Sequence, residues 1–82
     1  MIKSQIPAYD SYIVTNVPTD KVVDVVKQMK NHPEIDKVVE YSETEGTILF
    51  KVLSVGFAPA LVPIVPTPIT FEDLQQLYDI TV

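Results

Sequence analysis

The single histidine is the first side chain in this sequence that could do chemistry. His32 could act as a general base or bind a metal ion, because the imidazole group of histidine changes its charge near neutral pH. It lies between Asn31 and Pro33, where a helix is expected to end, and a cation at that position complements the helix dipole. The sequence therefore favours a structural role for His32 over a catalytic one.

Two short-range pairs of acidic residues come closest to a metal-binding pattern. Asp20 and Asp24 are one helical turn apart, and Glu34 and Asp36 are close in the sequence. Neither pair has a partner histidine or the spacing of a calcium-binding loop. We expect these carboxylates to be solvated charges, and we predict no metal site.

Nucleophiles are equally difficult to place in a catalytic arrangement. The chain has no cysteine, and none of its serines lies in an elbow-like motif. Gly46 and Gly56 are isolated, so the sequence has no glycine-rich loop that could hold a phosphate. Four tyrosines could line a small pocket, although such residues more often pack at the edge of a core: Tyr9, Tyr12, Tyr41 and Tyr78. We predict that the protein is not an enzyme and needs no cofactor.

Length and charge limit the partners that the chain could have. Its 82 residues are enough for one small domain, and a domain of this size often gains stability by self-association. The net charge is −5, and the six basic residues are all lysines scattered along the chain. Without arginine or a basic cluster, nucleic-acid binding is not expected. No secretion-signal pattern is visible, so we expect a cytoplasmic or virion-associated protein.

An uncharged run of twenty residues, 52–71, is the most unusual feature of the sequence. Its length would suit a transmembrane helix, but it contains four prolines within ten residues: Pro59, Pro63, Pro66 and Pro68. Each interior proline removes a helical hydrogen bond and costs about 3 kcal/mol or more. The pattern therefore predicts an extended conformation and no membrane span. We call residues 56–69 the proline-rich segment.

The apolar side chains of the proline-rich segment are the candidate partner-binding residues. A small domain cannot easily bury all of them while the backbone between them is extended, and exposed apolar surface often marks an interaction site. These residues are Phe57, Leu61, Val62, Ile64, Val65 and Ile69. In the alternative interpretation, the segment is a crossover loop that packs its own side chains against the sheet.

The remaining residues predict a regular alternation of strands and helices. Residues 11–17 and 47–55 have the period and the β-branched content of strands, and residues 36–42 form a third strand. A valine-rich helix follows Thr19, which is its expected N-cap, and Asn31 to Pro33 ends it. Four of its apolar residues recur at helical spacing: Val22, Val25, Val26 and Met29. A second helix begins at Thr70, with Asp73 at capping-box spacing, and residues 80–82 could add a short strand. Four residues share one face of this helix: Phe71, Leu74, Leu77 and Tyr78.

This order, β-α-β-β-α-β, predicts an α+β fold of the ferredoxin-like type. In that fold two helices cover one face of a four-stranded antiparallel sheet. Here the extended proline-rich segment precedes the second helix. We expect a single domain, 1–82, with an N-terminal arm (1–9), a strand-helix-strand-strand unit (10–55), the proline-rich segment (56–69), and a short helix with a terminal strand (70–82).

Residues 33–52 also suggest a family. They read PEIDKVVEYSETEGTILFKV and follow a strand and a helix. This pattern resembles the ligand-sensing domain of Lrp/AsnC-type regulators, in which a valine-rich strand follows a proline and a hairpin returns in a strand like residues 49–52. Thr44 and Thr47 stand near the positions where that family usually has a glycine and an aspartate. The resemblance covers about half of the chain and implies a domain that senses a small ligand.

Two function classes follow from the sequence. The first is a non-enzymatic module for protein–protein interaction, possible in a viral or structural accessory protein, which binds itself or a larger complex through the proline-rich segment. The second is a small-ligand-sensing regulatory domain of the Lrp/AsnC type. A rise in melting temperature with a metabolite would favour the second class.

Overall fold

The computed structural model describes the backbone of residues 6–58 and 65–82, and the side chains of residues 9–54 and 65–82. In chain order the elements are β1 (Ile6–Val14), α1 (Val22–Lys30), β2 (Lys37–Ser42), β3 (Thr47–Ala58), β4 (Thr67–Ile69) and α2 (Phe71–Tyr78). The predicted α+β class is confirmed. The helices of the described residues are both too short to cross a membrane.

The sheet is mixed, whereas the sequence predicted an antiparallel one. Its strand order is β2-β3-β1-β4. β3 pairs antiparallel with both β1 and β2, but β4 pairs parallel with β1. The fourth strand also precedes the second helix, so the order β-α-β-β-β-α replaces the predicted ferredoxin-like order.

The last residues of the chain show why the predicted terminal strand does not form. The side-chain amide of Gln28 on α1 donates to the Thr81 carbonyl oxygen at 2.6 Å and accepts from the Thr81 N–H at 3.0 Å. Both backbone groups that a sheet partner would bind are therefore already paired. The buried side chain of Ile80 joins the core from the same stretch.

The start of the chain also differs from the prediction. Residues 1–9 were expected to be an arm interrupted by Pro7, but β1 begins at Ile6 and Pro7 lies opposite Phe57 of β3. A strand tolerates a proline where one edge of its backbone has no partner. β4 pairs only with the last three residues of β1. At Pro7, therefore, the only strand described beside β1 is β3, and the other edge of β1 has no described partner.

Helix α1 packs the face that its sequence pattern predicts. Val22, Val25, Val26 and Met29 are all buried. Valine is a poor intrinsic helix former, so packing against β2 and β3 stabilises this helix. The predicted Thr19 cap is wrong, because the N-cap is Lys21 and no side chain caps the helix.

Helix α2 begins as predicted, with the Thr70 hydroxyl accepting from the Asp73 N–H at 3.0 Å. Leu74 is fully buried, whereas Leu77, which was expected on the same face, is exposed. Asp79 ends the helix in the left-handed conformation. The two helices and one face of the sheet enclose a single core cluster: Val14, Val17, Val22, Val25, Val26, Met29, Ile35, Ile48, Phe50, Leu74 and Ile80.

Candidate interaction surface

The sheet has one face covered by helices and one face that no described element covers. Alternate residues of β1 and β3, such as Val14, Ile48 and Phe50, point into the core cluster. The residues between them point to the opposite side, because successive side chains of a strand alternate between faces. We call this opposite side the open face. It consists of Tyr9, Ser11 and Ile13 on β1, Thr47, Leu49, Lys51 and Leu53 on β3, Lys37, Glu40 and Ser42 on β2, and Pro68 on β4.

The centre of the open face is apolar. Ile13 lies opposite Leu49 in the β1–β3 ladder, and Pro68 lies beside Ile13 on β4. Leu53 lies opposite Tyr9 and is 60% exposed. Ile13 and Leu49 are half-buried although no described helix or strand lies over them. These side chains form an apolar stripe, which resembles one side of a hydrophobic core that no described element packs against.

Two charged residues of the open face, Lys37 and Glu40, lie on β2 beside this apolar stripe, and Lys51 lies within it, between Leu49 and Leu53 on β3. Lys37 and Lys51 lie opposite each other on neighbouring strands, an arrangement of like charges that weakens strand pairing. Lys51 relieves part of this repulsion, because its ammonium group lies 4.6 Å from the centre of the Tyr9 ring, within cation–π range. Glu40 lies opposite Leu49, on the same side of the stripe as Lys37.

The helix side of the sheet carries a chain of aromatic contacts. Tyr12 stacks on Phe50 with ring centres 5.6 Å apart, and Phe50 meets Tyr78 edge to face at 5.8 Å. Tyr78 in turn meets His32 edge to face at 5.4 Å. These contacts hold the end of α2 on the sheet. The four tyrosines do not line one pocket, since Tyr9 lies on the open face.

Burial is the main reason why the pKa of Tyr78 is raised above its ordinary value, and the nearby Tyr12, Glu34 and Asp10 add to the shift. His32 accepts a hydrogen bond at Nδ1 from the Glu34 N–H at 3.0 Å, so this nitrogen carries no proton. The bond fixes the ring after the end of α1. No group of three potential metal ligands occurs within the described residues.

The surface depressions do not resemble a site between sheet and helices. Phe50, Met29 and Leu74 fill that space and are fully buried. One shallow cleft lies at the start of α2, and its lining includes Asn16, Glu72 and Asp73. The ligand-sensing interpretation therefore stays a prediction without a described pocket in the core.

The predicted partner-binding residues have different surroundings. Val65 is 79% exposed, whereas Ile69 on β4 is half-buried and packs against the core. The backbone of Phe57 belongs to β3. Leu61, Val62 and Ile64 lie outside the described residues, so the prediction of an extended segment is untested there.

The open face itself was missed from the sequence. The period and β-branched content of residues 47–55 predict a strand but do not by themselves identify an apolar face. The run of Ile48, Leu49 and Phe50, with Leu53 further on, places apolar side chains on both faces. A strand that is apolar on both faces is typically covered on both. This signal could have indicated the surface.

Comparisons with models of protein families, with characterised proteins and with solved structures return no match, so the fold and the open face are described from this chain alone.

Proposed function

We propose that the protein is a non-enzymatic interaction module that assembles with itself or with a larger complex through its open face and its proline-rich segment. The observation that carries the proposal is the apolar stripe on the open face, in which Ile13 and Leu49 are half-buried and Leu53 is exposed. We propose a cytoplasmic or virion-associated role, as expected from the composition.

The stripe supports the proposal because it would be unfavourable in water. Burial of apolar surface contributes about 25 cal/mol per Å², and Leu53 leaves most of its side chain unburied in the single chain. The charges of β2 lie at the margin of this face, and the one central charge, on Lys51, lies over the Tyr9 ring, so the face has the apolar centre and polar margin of a protein interface.

The paired ends of β1 and β3 give further support. Ile6 to Tyr9 and Leu53 to Ala58 pair with each other, and within the described residues neither stretch has a second strand beside it. A two-stranded ribbon is marginally stable in water unless something packs against it. A partner on the open face would extend along this ribbon.

Val65 supports the contribution of the proline-rich segment. It directly precedes Pro66, and its side chain is 79% exposed. A chain that contains prolines loses little entropy when it docks, which suits a recognition element. The segment therefore belongs to the proposed surface alongside the open face.

The test replaces Leu61, Ile64 and Val65 together by serine and measures mass in solution and thermal stability. We expect folded protein that is released from its assembly. A stable variant whose assembly state matches the parent would contradict the role of the segment, and an unfolded monomer would indicate the crossover-loop alternative. Leu77→Ser, on the outer side of α2, is the control.

The absence of catalysis is tested at His32. We expect His32→Ala to retain any measured biological activity within a factor of a few, because its described contacts are structural. Loss of activity by orders of magnitude in a folded variant would contradict the non-enzymatic proposal.

A further inference from the structure

We propose that the occupant of the open face is a second copy of this chain, packed face to face about a two-fold axis that runs parallel to the strands between β1 and β3. This inference rests on the proposed function and names its partner.

Both edges of the sheet are unsuited to pairing with another strand. β4 is three residues long and has Pro68 at its centre, and proline cannot donate to a neighbouring strand. β2 has a register shift between Val38 and Glu40 and carries Lys37 at its start. Irregular backbone and lysine are common means of protecting an edge from added strands. Association through the face therefore fits the sheet better than association through an edge.

A two-fold axis between β1 and β3 makes the open face complementary to itself. Each β3 residue of the open face has a ladder partner on β1 of its own chain. In the dimer, it lies over that same β1 residue of the second copy. Leu49 then lies over Ile13 of the second copy, and Leu53 lies over its Tyr9. Both contacts are apolar, and each occurs twice in the dimer.

The same axis keeps Glu40 and Lys37 of the two copies on opposite margins of the dimer, because β2 of one copy covers β4 of the other. Glu40 then lies over Pro68 of the second copy. Lys51 lies over Ser11 of the second copy; the two Lys51 residues are offset by one strand spacing of about 4.8 Å, and each ammonium group lies over Tyr9 of its own chain. By contrast, an axis perpendicular to the strands through the row of Ile13 and Leu49 would place Glu40 of one copy directly over Glu40 of the other. The charge of Glu40 therefore favours the axis parallel to the strands.

The open face is large enough for a small, weakly associating dimer. The four strands contain 9, 6, 12 and 3 residues, and at about 3.3 Å per residue and about 4.8 Å per strand they give a footprint of about 475 Å² on each copy, the two-stranded ribbon included. Two copies then bury about 950 Å², which is the size of a weak or transient interface. Sheets that pack in this way keep their strands within about 30° of each other.

The test compares two leucines that differ mainly in their side of the molecule. Leu53 on the open face is 60% exposed, and Leu77 on the outer side of α2 is 61% exposed. Sedimentation of wild type, Leu53→Asp and Leu77→Asp over a concentration series gives the dissociation constant of each dimer. Circular dichroism and a denaturation midpoint check the fold, and Leu53→Ser replaces Leu53→Asp if the charged variant unfolds.

We expect wild type and Leu77→Asp to be dimers with similar dissociation constants. Leu53→Asp should be a folded monomer, with its dissociation constant raised at least about a hundredfold, because each dimer loses two apolar contacts. Wild type that is monomeric at every concentration would overturn the inference. So would a dimer that Leu53→Asp and Leu53→Ser leave intact.

A third result separates the inference from the proposed function. If wild type is monomeric but captures a different protein through a contact that Leu53→Asp abolishes, the second-copy proposal is wrong and the interaction module stands. If wild type neither self-associates nor binds another protein, both proposals are wrong.

Discussion

Replacement of Gly46 by alanine tests how the β2–β3 hairpin is fixed to the rest of the sheet. Gly46 has a φ of +65°, and its carbonyl oxygen accepts from the Val17 N–H at 3.0 Å. A Cβ atom at this position would lie 2.3 Å from the Val17 carbonyl oxygen. Because the obstacle is backbone, no side-chain rotation can relieve the contact.

The expected loss of stability combines three effects. The left-handed conformation costs a residue with a Cβ atom roughly 1–2 kcal/mol. Loss of the hydrogen bond from Val17 to Gly46 costs about 1 kcal/mol more. Alanine also restricts the unfolded chain more than glycine does, and this restores about 0.5–1 kcal/mol of stability. The net loss is about 2 kcal/mol, which lowers the melting temperature of a domain this size by roughly 8–16 °C.

The assay is chemical denaturation followed by circular dichroism, with the midpoint compared at an unchanged slope. Glu43→Ala, an exposed residue of the same turn, is the control and should stay within about 0.5 kcal/mol. Gly46→Asn separates the two causes, because asparagine tolerates a positive φ but still carries a Cβ atom. If Gly46→Ala or Gly46→Asn is as stable as wild type, the reasoning about the Val17 contact is wrong.

Three further predictions concern the helices. Val26→Asp should lower the free energy of unfolding by at least about 3 kcal/mol because it buries an unpaired charge, whereas Val23→Asp on the exposed side of α1 should change the denaturation midpoint little. Gln28→Met should cost about 1–2 kcal/mol and expose the Thr81 amide to hydrogen exchange, and an unchanged exchange rate would contradict the pairing. Because the pKa of Tyr78 is raised in the folded state, its neutral hydroxyl contributes stability that is fully present below pH 10.0 and is lost as the pH rises through the folded-state pKa. Tyr78→Phe should therefore lose less stability above pH 10.0 than wild type does. Equal losses in the two proteins would show that burial of this hydroxyl is unimportant.

Local patterns predicted the elements that depend on nearby residues. The spacing of Val22, Val25, Val26 and Met29 predicted the buried side of α1, and packing on the sheet confirms it. The Thr70 cap was predicted because it involves a backbone group only three residues away. Such contacts are encoded within one turn of chain, so a single sequence shows them.

Contacts between distant residues account for what the sequence did not show. The pair formed by Gln28 and Thr81 spans 53 residues and replaces the terminal strand that local propensity favoured. The strand Thr67–Ile69 was missed because Pro68 argues against a strand, although an outer strand beside β1 tolerates it. For the candidate site, the sequence indicated Val65, but the open face required the β1–β3 register.

Cross-linking of single cysteines tests the central claim, that the open face is the interface, most directly. The chain has no cysteine, so Leu49→Cys on the open face and Val23→Cys on the outer side of α1 each introduce one unique thiol. With a short bismaleimide at low protein concentration, we expect Leu49→Cys to form a covalent dimer rapidly and Val23→Cys to stay monomeric. Equal cross-linking of the two variants, or a Leu49→Cys protein that stays monomeric where wild type sediments as a dimer, would contradict the claim.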